Sequence, residues 1–60
     1  MTVTADIWEA HRQAETLTVA LRDMAAYRHA NPMEGYPGAG DLDEIAHRAE
    51  TLRDLLEALA

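Results

Sequence analysis

The 60-residue chain predicts an all-α fold, a two-helix antiparallel hairpin that pairs with a second copy into a homodimeric four-helix bundle. Three observations carry that expectation. No Pro or Gly interrupts residues 4–30, whereas Pro32, Gly35, Pro37, Gly38 and Gly40 crowd into residues 31–40. On both sides of that cluster, apolar residues recur in alternating steps of three and four, the spacing of a heptad seam. One domain spanning residues 1–60 accounts for the whole sequence.

The first helix is expected over about residues 5–30, a stretch rich in Ala, Leu, Glu, Arg and Met, which lose little side-chain freedom in a helix. Its seam reads Val3, Ile7, Ala10, Ala14, Leu17, Leu21 and Met24. Asp6 followed by Glu9, or Thr4 one turn earlier, supplies a cap for its start. Asn31-Pro32 ends it, because proline disfavours the α conformation in the residue before it. His29, in the last turn, complements the unpaired carbonyls and the helix dipole.

A loop over residues 31–40 leads to a second helix over about residues 41–59. Asp41 precedes Glu44 by three residues, a capping-box spacing, and Asp43 adds negative charge where the dipole favours it. The seam runs Leu42, Ile45, Ala49, Leu52, Leu56 and Leu59, with Ala46 and Leu55 widening it and Arg48 and Arg53 beside it. Asp43, Glu50, Asp54 and Glu57 fall on the far side, as a solvated face or a docking strip for a basic partner. Glu44 and Arg48 form a favourably oriented i,i+4 pair.

Size then argues for self-association. A core built from fewer than about 70–80 residues seldom supplies more than ~3–5 kcal/mol, and a chain without cysteine has neither a disulfide nor a thiolate zinc site to compensate. A lone hairpin also leaves the wide stripe of the second helix wet. The residues expected to bury themselves between copies are Ile7, Leu17, Leu21, Ile45, Leu52 and Leu56. Because the first helix is the longer, its N-terminal turns with Val3, Ile7 and Trp8 overhang. Trp8 is therefore either a contact for another protein or a lid over its own bundle.

Charge and residue types narrow the function. Eleven acidic residues against five arginines, no lysine and a formal charge of −6 provide no basic footprint for nucleic acid. No apolar run approaches the ~18–20 residues that span a bilayer, and no basic residue precedes Arg12 as a signal peptide would require, so a soluble, cytoplasmic protein is expected, with no membrane partner. Neither cysteine nor serine is present as a nucleophile, and an enzyme is not expected. No cofactor is expected either. Gly38-Ala39-Gly40 before a helix resembles a phosphate-cradling turn, but Asp41, Asp43 and Glu44 would repel a phosphate and no Lys follows. The same acids lack the alternating ligands of a calcium loop.

What remains is a non-enzymatic protein–protein interaction module, a self-associating hairpin acting as a small assembly, adaptor or inhibitory subunit. Its candidate contacts with another protein are Trp8, Met33 and Tyr36; the plainer reading has Met33, Tyr36 and Pro37 plugging the end of the bundle. His11, at the seam edge, is a candidate interfacial histidine. The alternative from another class is a metal-carboxylate bundle binding iron, manganese or zinc. Glu44 and His47 stand three apart, as in carboxylate-bridged di-iron bundles, and His11 and Glu15 lie on adjacent turns. Against it, the wheel turns Glu44 and His47 towards solvent.

Overall fold

The computed structural model describes residues 3–60 and is all-helical there, with two helices packed against each other as an antiparallel hairpin. Helix α1 covers Val3–Ala30 and helix α2 covers Ala39–Leu59. The side chain of Val3, first in the expected seam, lies outside the described residues. The hairpin measures 45 × 15 × 13 Å.

Local chemistry explains the boundaries. At the end of α1 the Tyr27 carbonyl accepts from both the backbone N–H of Asn31 at 2.8 Å and its side-chain amide at 3.0 Å, so one residue closes the last turn before Pro32 stops it. Gly35 turns the loop at φ 106°, in the left-handed region where a side chain would be strained. Helix α2 starts two residues before Asp41, so Asp41 is not the cap residue itself. It sits in the first turn and reaches back, its carboxylate accepting from the Gly38 N–H at 2.9 Å, while the Leu42 N–H donates to the Gly38 carbonyl at 3.0 Å. The reciprocal half of the box is missing because glycine has no side chain. At the far end, the Ala60 N–H tightens the last turn on the Glu57 carbonyl at 3.2 Å.

The helices meet on a different line from the expected one. Among the described residues Ala14, Ala25, Leu42, Ala46 and Thr18 are buried, and Thr18 satisfies its hydroxyl within its own helix by donating to the Ala14 carbonyl at 2.8 Å. Along α1 the contact line is Ile7, His11, Ala14, Thr18, Leu21, Ala25 and Arg28; along α2 it is Leu42, Ala46, Ala49, Arg53 and Leu56, with Ile45 at its edge. Ala10, Leu17, Met24, Leu52 and Leu59 of the expected seam therefore face outward, with Leu17 56% exposed, Met24 52% and Leu52 52%. The physical reason is the width of the apolar stripe. Each helix offers two rows beside a shared one, and the pairing takes the row with alanines and threonine, which lets the backbones approach closely, over the row of leucines.

Of the six residues expected at the interface between copies, Ile7, Leu21, Ile45 and Leu56 are thus partly consumed within the hairpin, whereas Leu17 and Leu52 are free. The same rotation corrects the acidic far side of α2. Asp43, Glu50 and Glu57 do not form a separate solvated strip but reach across to α1.

Candidate functional site

Every ion pair that bridges the two helices lies on one flank of the hairpin. Glu15 accepts from Arg53 at 2.7 Å, Arg22 donates to Glu50 at 3.0 Å, His29 Nε2 lies 2.7 Å from Asp43, and His11 Nε2 lies 3.6 Å from Glu57. On α1 the residues Glu15, Arg22 and His29 stand seven apart, as do Asp43, Glu50 and Glu57 on α2, so each set forms one row along its helix. Antiparallel rows meet end to end. After His11, Arg53 is the most enclosed of these groups, and its guanidinium is pushed above the ordinary arginine value by its hydrogen bond to Glu15 first and by Asp54 second. His29 stands in the last turn of α1, as expected there, and in addition reaches Asp43 across the pair.

The opposite flank carries the uncovered apolar rows, Ala10, Leu17 and Met24 on α1 and Ile45, Leu52 and Leu59 on α2, again at seven-residue spacing. At 100° per residue these positions sit about a quarter turn from the contact line, on the side away from the ion pairs in both helices. The register set by Glu15–Arg53 and Arg22–Glu50 places Leu17 beside Leu52, Met24 beside Ile45 and Ala10 beside Leu59. Leu55 and Tyr27 extend the exposed apolar surface.

At the loop end this flank opens into a cleft of about 330 Å³ lined by Met24, Tyr27, Pro37, Leu42, Asp23 and Arg28. A second cleft, of about 250 Å³, lies under the loop between Arg28, His29, Pro32, Met33 and Ala39. Arg28 lines both. Its Nη1 is buried without a hydrogen-bond acceptor, and no ion pair to it occurs among the described residues. Met33 is 66% exposed and Tyr36 79%, so neither plugs the end of the hairpin; Pro37 alone of the three is half-buried.

Trp8 is 47% exposed and occupies the charged flank, one heptad before Glu15, with its ring edge-on to that of His11 at 5.2 Å between centroids. It stands on the overhanging turns of α1, beyond the reach of Leu59, as the length mismatch of the helices requires. Nearby, Arg12 and Gln13 both hydrogen-bond Glu9, holding its carboxyl below the usual glutamate range, Arg12 contributing most. His11 is largely enclosed, and its Nε2 is buried without a hydrogen bond.

The four candidate metal ligands are not brought together. Glu44 is engaged by Arg48 at 3.0 Å and His47 is exposed near the loop end of α2, while His11 and Glu15 lie towards the other end beside Glu57 and Arg53. Among the described residues no group of three or more His, Asp or Glu side chains converges as an ion would need. Nor is either helix, over those residues, long and apolar enough to cross a membrane. The segregation of the two flanks had a signal in the sequence, the heptad spacing of the charged residues, which a reading centred on apolar periodicity passes over. No family model matches the chain, and no curated protein or solved structure is found to be similar to it.

Proposed function

We propose that the protein is a non-enzymatic protein–protein interaction module, a helical hairpin that self-associates through its apolar flank and acts as a small assembly, adaptor or inhibitory subunit. The observation that carries this reading is the uncovered double row of Ala10, Leu17 and Met24 with Ile45, Leu52 and Leu59, on a molecule whose interhelical charges are gathered on the other side. Contiguous apolar surface on that scale marks an interaction site, because leaving it in water forgoes about 25 cal/mol per Å². The total surface points the same way. The chain exposes 4416 Å², whereas a monomer of 6.6 kDa is expected to expose about 3,900 Å².

Two hairpins joined on this flank form a four-helix bundle. Trp8 on the charged flank and Met33 and Tyr36 in the loop stay outside it, which leaves them available to a different protein and suits an adaptor. The experiment is sedimentation equilibrium at tens of micromolar with circular dichroism on the same samples. A helical species of at least twice 6.6 kDa is expected; a fully helical monomer at that concentration refutes the proposal.

A further inference from the structure

We infer that the apolar flank is covered by a second copy of the chain laid head to tail, α1 against α1 and α2 against α2, with the two-fold axis at the level of Leu17 and Leu52. This rests on the self-association proposed above and specifies its occupant and direction.

Charge gives the direction. Arg28, whose buried Nη1 has no acceptor, and Asp6, exposed and without an ion pair among the described residues, stand at opposite ends of α1, each eleven positions from Leu17. Both turn towards the apolar flank. A two-fold at Leu17 carries Asp6 of the second copy to the level of Arg28, and symmetry repeats the pair at the other end. Asp23 also lines the cleft beside Arg28 but does not bridge to it. In the same-end arrangement α1 lies over α2 of the second copy, where Arg28 comes level with Asp41, whose carboxylate already accepts from the Gly38 N–H, and Asp6 stands beyond the end of α2 with no cation beside it.

Side-chain size agrees. The head-to-tail axis sets Met24 against Ala10 of the second copy, large against small, and Ile45 against Leu59, while Leu17 and Leu52 each meet their own counterparts. A face 45 Å long and one hairpin wide offers on the order of 700 Å² per copy, near the ~800 Å² of a standard interface.

Because the chain has no cysteine, single replacements report contacts without background. Mild oxidation of Leu52→Cys is expected to yield a disulfide-linked dimer. Met24→Cys and Ala10→Cys are each expected to stay uncoupled alone and to couple when the two proteins are mixed and allowed to exchange. Arg28→Glu and Asp6→Arg should each weaken dimerisation, by up to about fivefold for each of the two pairs lost, and the charge-swapped double variant should regain most of it. Coupling of Met24→Cys with Ile45→Cys in place of Ala10→Cys, in a dimer shown by sedimentation, overturns the head-to-tail direction while leaving self-association intact. A helical monomer overturns both. Additive rather than compensating charge variants remove the Arg28–Asp6 pairing.

Discussion

The two flanks of this hairpin use the same spacing for opposite ends. On one, Glu15, Arg22 and His29 meet Arg53, Glu50 and Asp43, so that each long polar side chain finds its partner within the chain. On the other, Leu17, Met24, Leu52 and Leu59 find none. The charged flank sets which residues stand opposite each other but contributes little cohesion, since exposed ion pairs are worth about 0–1 kcal/mol each. The apolar flank holds most of the burial still to be gained. A heptad therefore tells where rows of side chains run; it does not tell which row closes the molecule and which one is left for a neighbour.

Substitutions that separate the flanks test that contrast. The largest effect is expected at the line between them, where Leu42 is 3% exposed and, among the described residues, is the only large apolar side chain that is buried. Leu42→Ala should cost about 2–5 kcal/mol, enough to abolish the cooperative melt of a domain this small, as followed by circular dichroism. Next comes Leu52→Asp. On a half-exposed site it should leave helicity in place at high dilution, yet shift sedimentation at tens of micromolar to the monomer, because association would bury two unpaired carboxylates. If Leu52→Asp melts the isolated hairpin as thoroughly as Leu42→Ala, the apolar flank is part of the fold and the contrast fails.

On the charged flank, Glu15→Gln should lower stability by about 1 kcal/mol or less, with the loss shrinking at high salt, because Arg53 keeps Asp54 as a second partner. The smallest effect is expected at Glu9, which lies outside both rows. Its carboxyl should titrate below the usual glutamate range by carbon NMR and return towards it in Arg12→Ala, since Arg12 is the main cause of the lowering. The sign follows from the direction. Whatever Glu9 contributes is present above the ordinary carboxylate range and fades as pH falls through its lowered value.

The two helices and their loop were legible because backbone chemistry announces them: an uninterrupted run before Asn31, then Pro32, Gly35 and Gly38, with Asp41 in the first turn of the second helix, which begins two residues earlier than the sequence suggests. Their phase was not. Apolar residues at Ala10 and Leu17 satisfy a seam as well as Ala14 and Ala25 do, and hydropathy favours the leucine that ends up outside. Close approach of the backbones and the matching of charges across the pair decide between rows, and both depend on two helices at once. Thr18 illustrates the point. As a hydroxyl it looks like a surface residue, yet by donating to the carbonyl of Ala14 it enters the seam with its polarity satisfied. Arg28 stands in the last turn of α1, where a positive charge is favourable in any helix; that its Nη1 is buried without an acceptor depends on the packing of both helices and is not legible in the sequence.

The alanine-lined contact between the helices has a calorimetric consequence. Ala14, Ala25 and Ala46 each return only a methyl group to water when the hairpin opens, and the heat capacity of unfolding and the denaturant slope both scale with the surface released. A dilute hairpin should therefore unfold over a wide temperature span with a nearly flat stability curve. The assembled protein, losing Leu17, Met24, Leu52 and Leu59 to water in the same event, should unfold steeply, at a temperature that rises with protein concentration.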